Sequence, residues 1–77
     1  MSDVTTYLVK VSGEKINFGR LVSMVSLYIK SGQERSFYRL ISDIDPKSVR
    51  EIGEKTRRKA LQNLPKGHLK STFQMFL

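Results

Sequence analysis

The chain has 77 residues, no cysteine, one histidine and a formal net charge of +7 at pH 7. Its length allows a single small domain covering residues 1–77, and without cysteine neither a disulfide bond nor a Cys/His zinc site can form within one chain. A core this small is marginally stable, which leaves tight helix packing or oligomerisation as its support, and we expect self-association, for example as a homodimer.

The sequence shows neither a secretory signal nor a membrane-spanning segment. Its N-terminus lacks a basic region followed by an apolar run. The longest apolar-rich stretch, residues 21–29, is interrupted by Ser23 and Ser26 and falls short of the ~20 apolar residues that span a bilayer. We therefore expect a cytoplasmic (intracellular) protein that does not span a membrane, with the alternative that its basic amphipathic C-terminal end lies on an anionic membrane surface.

Residues 5–11 are rich in β-branched and aromatic side chains and predict a β-strand. Tyr7, Val9 and Val11 alternate along it and should form its apolar face. After a turn at residues 12–15, the chain either returns as a second strand at 15–18 or leads directly into a helix. An unpaired strand leaves backbone groups without hydrogen-bond partners, so the second strand must come from such a hairpin or from another subunit.

Two amphipathic helices follow. In residues 17–30 apolar side chains recur at helical spacing, with Asn17 as the N-cap and Gly32 as the left-handed residue that ends the helix. Residues 33–44 repeat this spacing. This helix should end near Ile44, because the residue before a proline disfavours the helical conformation.

Two further helices are predicted in the C-terminal half. Asp45 and Pro46 are typical of a helix start, and a narrow apolar stripe extends that helix over residues 46–64, with Gly53 inside the stripe. Residues 68–77 have the spacing of a short helix, although a strand fits them too. The expected fold is mainly α, with three to four short helices and a short N-terminal β-strand or hairpin. A hairpin would make it a small α+β fold.

Most of the positive charge lies in the last third of the chain. Residues 55–77 hold six Lys or Arg and no Asp or Glu, a formal +6, whereas residues 1–54 hold eight basic and seven acidic residues, a formal +1. Cations gathered on one surface suit a polyanion, because they neutralise phosphates and release counterions. We therefore expect nucleic-acid binding, to DNA rather than RNA, through the helix at 46–64 and the following loop. The expected phosphate contacts are Arg50, Lys55, Arg57, Arg58, Lys59, Lys66 and Lys70, with Arg57 and Arg58 as the central pair.

Other interpretations of the same segments stay open. The basic segment could bind and modulate an acidic protein partner, or it could be the solvated face of a helix. The helices at 33–44 and 46–64 have the apolar spacing of a helix-turn-helix motif, which an ordinary α-hairpin shares. A dimer that pairs its N-terminal strands is a further alternative, although Leu8 fits poorly on the outward face of such a ribbon.

No residues point to catalysis, a cofactor, a metal or a small-molecule substrate. The sequence contains no P-loop, nucleophile elbow or paired-carboxylate site, and we expect no enzyme activity. His68 is expected to be a surface or phosphate-contacting side chain rather than a general base. The apolar end at residues 71–77 either completes the core or serves as a C-terminal docking tail.

Overall fold

The computed structural model describes residues 6–77. Along this part of the chain the elements are β1 (Tyr7–Val9), β2 (Lys15–Asn17), α1 (Phe18–Lys30), α2 (Glu34–Ser42), α3 (Pro46–Val49), α4 (Glu54–Gln62) and α5 (His68–Phe76). The predicted fold class is confirmed, since the protein is mainly helical and carries a two-stranded antiparallel hairpin near its N-terminus. It is a small α+β fold.

The hairpin formed by β1 and β2 resolves the alternative that the sequence left open. Its paired residues are Tyr7 with Asn17, Leu8 with Ile16, and Val9 with Lys15. The amide of Lys10 donates to the carbonyl of Glu14 at 2.7 Å and closes the turn. The second strand is therefore supplied by the same chain.

The face of β1 that meets the core is the opposite of the one predicted. Leu8 is fully buried, whereas Tyr7 is 55% and Val11 is 68% exposed. Alternation along a strand separates two faces, but it does not indicate which of them lies against the helices. Leu8 joins Phe18 and Leu21 of α1 in the core, and the Tyr7 ring is left at the surface.

The second edge of β1 pairs with the connection between α2 and α3. The amide of Val11 donates to the carbonyl of Asp43, and the amide of Asp45 donates to the carbonyl of Val9, both at 2.8 Å. The amide of Val9 also donates to the Ser48 hydroxyl at 3.1 Å. Both edges of this short strand thus find partners within one chain, so its pairing gives no reason for a dimer.

The predicted ends of the first helices agree closely with the structure. The Asn17 side chain caps α1 by accepting from the amide of Arg20 at 3.1 Å, and Gly32 follows the helix with a φ of 70°. α2 ends at Ser42, two residues earlier than predicted, because Ile44 pairs with Lys10 in an isolated β-bridge. Asp45 caps α3 and Pro46 is its first residue, as predicted.

The single helix predicted over residues 46–64 is wrong. The structure divides it into α3 and α4, separated by residues 50–53. Gly53 is the N-cap of α4 and has an extended backbone, with φ −65° and ψ 148°. A glycine costs about 1 kcal/mol relative to alanine inside a helix and is well accepted as an N-cap, so the chain bends where helix continuation is weakest. The break lets both Val49 and Ile52 reach the core, where they are 3% and 5% exposed.

One apolar core joins the elements of the described residues. Every element except β2 contributes a buried side chain to it, and no polar or charged residue among positions 6–77 is buried. At its C-terminal side Phe73 of α5 is fully buried, with its ring centroid 6.4 Å from that of Phe37. Phe76 and Leu77 pack against this core, whereas Met75 is 88% exposed. The short C-terminal helix is confirmed, while docking of residues 71–77 on a partner stays a prediction.

Phe73→Ala should strongly destabilise the protein. Removing a fully buried aromatic side chain from a core costs about 3–5 kcal/mol, which is a large part of the stability of a small domain. Met75→Ala, on the exposed face of the same helix, should change the free energy of unfolding by less than about 0.5 kcal/mol. Urea unfolding measures both variants, and equal effects would show that α5 is not part of the core.

Gly53→Ser should stabilise the protein, whereas Gly32→Ser should destabilise it. Neither glycine has an atom within 4 Å of the position that a Cβ would occupy, so only the backbone conformation distinguishes them. At Gly53 a serine gains a capping hydroxyl and reduces the freedom of the unfolded chain, worth about 0.5–1 kcal/mol. At Gly32 the positive φ imposes a penalty of about 1–2 kcal/mol. Opposite shifts of the thermal midpoint are the expected result, and a loss of stability at both sites would contradict the cap at Gly53.

Candidate nucleic-acid interface

The exposed side of α4 gathers three basic side chains. Lys55, Arg58 and Lys59 line one surface depression together with Glu54 and Gln62, and we name this set the α4 cationic surface. Positions three, four and seven apart lie on one side of a helix, so α4 itself brings these side chains together. All five residues are exposed. Local helical geometry therefore places these three cations, which lie within five positions of the sequence, on one side of α4.

Helix α5 extends the α4 cationic surface on one side. Lys70 and Gln74 of α5 line a second depression with Arg58, Leu61 and Gln62 of α4. Because Arg58 and Gln62 border both depressions, Lys70 adjoins the α4 cationic surface. Four predicted contact residues are thus brought to one side of the molecule.

Glu54 partly neutralises the α4 cationic surface. Its Oε1 atom accepts a hydrogen bond from Nη2 of Arg58 at 3.0 Å, one helical turn along α4. The two side chains are 71% and 75% exposed, so solvent and salt screen the pair, and exchanging Glu54 for a phosphate would cost little. With Lys70 included, four cations and one carboxylate leave a formal +3 on this side.

The predicted pair of Arg57 and Arg58 is separated by the structure. Successive helical residues differ by 100° in direction, and Arg57 lies roughly 150° around the helix from the centre of the α4 cationic surface. Arg57 is half-buried, and its Nε atom is buried without a hydrogen-bond partner. Arg57 therefore does not share the exposed side of α4 with Arg58. Its aliphatic stem belongs to the packed side of α4.

The other predicted contacts lie outside α4. Arg50 follows α3, and Lys66 lies in the connection between α4 and α5. Both are exposed, and neither lines the α4 cationic surface. Their contact with phosphate stays a prediction.

An apolar groove separates α4 from α1 on the other side of Lys59. Its volume is about 480 Å³, and we name it the α1–α4 groove. Phe18 and Val22 from α1 and Ala60 from α4 supply its apolar wall, and Lys59 lies at its edge. Small side chains at Gly19, Ser23 and Ser26 keep the groove open.

A second basic cluster, on the hairpin, was not anticipated. Lys10, Lys15 and Arg20 line a groove of about 430 Å³ together with the exposed ring of Tyr7, and we name it the hairpin groove. These cations are scattered in the first 20 residues, where basic and acidic charges nearly balance. Only the hairpin and its junction with α1 bring them together. A prediction of the pairing between the two strands would have placed Lys15 close to Lys10. Nothing in the sequence places Arg20 beside them.

His68 makes polar contacts between two helices. Its Nε2 atom is 3.5 Å from the Tyr38 hydroxyl and 3.7 Å from a carboxylate oxygen of Glu34. These contacts join the start of α5 to α2 at the surface. Across residues 6–77, no three His, Asp or Glu side chains group as a metal site. In the same stretch none of the helices combines the length and the hydropathy needed to cross a bilayer.

No protein-family model, curated protein or solved structure matches this chain. Its function is therefore inferred from the chemistry of its own residues.

Arg57→Ala should destabilise the protein more than Lys55→Ala. Arg57 loses the packing of a half-buried stem, which we expect to cost about 1 kcal/mol. Lys55 is exposed, and its truncation should stay within about 0.5 kcal/mol. Thermal unfolding at matched ionic strength measures the difference. If the two variants were equally stable, Arg57 would be as free for binding as its neighbours.

Proposed function

We propose that this protein binds nucleic acid, DNA in preference to RNA, as a small non-catalytic regulatory or architectural protein. The observation that carries the proposal is the α4 cationic surface, which groups Lys55, Arg58 and Lys59 and is adjoined by Lys70. No acidic residue follows Glu54 in the sequence, so this side of the protein has one carboxylate to set against four cations.

The spacing of the two α4 lysines suits a phosphate backbone. Lys55 and Lys59 are four residues apart, which is about 6 Å along a helix axis. Phosphates follow one another every ~3.4 Å along the axis of each DNA strand, so both lysines can approach phosphates of the same strand. Lysine is a point charge on a flexible stem and contributes affinity, whereas Arg58 can donate two parallel hydrogen bonds once it leaves Glu54. The arrangement favours backbone contacts over the reading of bases.

An acidic protein partner is the second candidate, and the α1–α4 groove favours it. An apolar groove of about 480 Å³ with Lys59 at its edge would accept the apolar side of a helix whose other residues are acidic. Binding of this kind depends on buried apolar area and responds only weakly to salt. Salt dependence therefore distinguishes the two functions.

Duplex DNA binding should weaken steeply as the salt concentration rises. Lys55 and Lys59 should account for half of the slope of this salt dependence. Four phosphate contacts predict a slope of about −3.6 for the logarithm of the association constant against the logarithm of salt concentration. The double variant Lys55→Gln with Lys59→Gln should bind more weakly, with a slope of about −1.8. Fluorescence anisotropy of a labelled duplex measures both slopes.

The matched control is the double variant Lys30→Gln with Lys47→Gln. It removes the same charge from two exposed lysines that do not line the α4 cationic surface, so its slope should stay near about −3.6. Equal losses in both double variants would mean that binding follows net charge rather than this surface. Failure of the unaltered protein to bind a duplex at about 50 mM salt would instead favour the acidic partner.

A further inference from the structure

The hairpin groove is built by several elements rather than by one charged helix. β1 contributes Tyr7, β2 contributes Lys15, and α1 contributes Arg20, while Lys10 comes from the hairpin turn. Ile16 and Leu40 add apolar surface. These residues lie on different elements, and Leu40 comes from α2, so the groove exists only when the hairpin, α1 and α2 are packed together.

The charges around the hairpin groove are predominantly positive. Among the described residues that line it there are three cations and no carboxylate. Asp43 forms an ion pair with one of these cations, and its carboxylate is 3.8 Å from the Lys10 ammonium group. Lys10 is therefore partly neutralised, and its side chain is only 28% exposed. Lys15 and Arg20 are both exposed and supply most of the positive field.

The exposed aromatic ring distinguishes this groove from the α4 cationic surface. Tyr7 is 55% exposed beside Lys15 and Arg20, whereas none of the residues lining the α4 cationic surface is aromatic. An aromatic ring at a positively charged groove is the arrangement that holds unpaired bases, because the ring stacks on a base while the cations follow its phosphates. Bases in a duplex are already stacked on their neighbours and cannot use such a ring. The volume of about 430 Å³ lies within the range of ~300–1,000 Å³ that accommodates small organic groups.

We propose that the hairpin groove is a second nucleic-acid site and that it takes an unpaired strand. Tyr7 stacks on one base, and Lys15 and Arg20 contact the adjoining phosphates, with Lys10 in a lesser role. This inference rests on the proposed nucleic-acid function and adds a preference for single-stranded segments to it. The α4 cationic surface would contact the backbone of a duplex, so one molecule could engage a site where duplex and unpaired strand meet.

The two sites are separated by α1. This helix turns Arg20 and Met24 towards the hairpin groove, and Gly19, Ser23 and Ser26 towards the α1–α4 groove beside α4. At 100° per residue these two sets differ in direction by roughly 110°. Substitutions at one site should therefore leave the other unchanged.

Tyr7→Ala, Tyr7→Phe and the double variant Lys15→Gln with Arg20→Gln test the proposal. Fluorescence anisotropy measures the binding of each to a short single-stranded oligothymidine and, separately, to a blunt duplex at about 50 mM salt. Leu27→Ala is the matched control for Tyr7→Ala, because Leu27 is 59% exposed on α1 and lines none of the grooves described above. Thermal unfolding checks that each variant is folded.

Tyr7→Ala should weaken binding to the single strand by roughly five- to a hundredfold, which is the effect expected for the loss of one stacked base. Tyr7→Phe should bind the single strand as tightly as the unaltered protein, since the ring is kept. Leu27→Ala should have no effect on this binding. The double variant should weaken single-strand binding and make it less dependent on salt. The affinity of all these variants for the duplex should stay unchanged.

The outcomes separate this inference from the proposed function. If the duplex is bound through Lys55 and Lys59 but Tyr7→Ala leaves single-strand binding intact, the second site is overturned and the proposed function stands. Equal losses on both oligonucleotides in the Tyr7 and Lys15/Arg20 variants would also overturn it, because they would indicate one general surface. If the unaltered protein bound neither the single strand nor the duplex, both proposals would be overturned.

Discussion

The fold depends on the pairing of β1 on both of its edges. One edge of this three-residue strand meets β2. On the other edge Val9 bonds to Asp45, in the connection between α2 and α3, and to Ser48 of α3. Val9 and Ser48 are 39 residues apart in the sequence, so these bonds close a long loop that contains α1 and α2. The same bonds bury Leu8 and leave Tyr7 outside. A short strand is stable here because backbone groups on both of its edges find hydrogen-bond partners.

The bend at residues 50–53 determines which way the α4 cationic surface faces. In a continuous helix over residues 46–64, the basic residues would have followed the same axis as α3. Ending α3 after Val49 and starting α4 after Gly53 gives α4 its own direction, with Ala60 inward and Lys55, Arg58 and Lys59 outward. Like charges on one side of a helix repel one another, and a single carboxylate, Glu54, relieves this only in part. A polyanion would relieve it further, which is the physical basis of the proposed function.

The two basic surfaces differ in their chemistry as well as their position. The α4 cationic surface consists of flexible charged side chains on one helix and suits a regular array of phosphates. The hairpin groove combines cations with an aromatic ring and apolar surface from β2 and α2, and it suits an exposed base. Nearly every element contributes a side chain to the core. Because this leaves little interior for an enclosed pocket in so small a protein, the proposed ligands are assigned to exposed surfaces.

The sequence by itself determined the helical segments apart from the break within residues 46–64, the caps at Asn17 and Asp45, and the excess of positive charge after residue 54. These are local properties, since helical spacing, capping side chains and charge can be read within a few residues. The tertiary structure decided which face of β1 is buried, where the chain bends near Gly53 and that Arg57 turns inward while Arg58 does not. It also assembled the hairpin groove from β1, β2 and α1. These features depend on how the elements pack against one another, which a pattern within a single element does not determine.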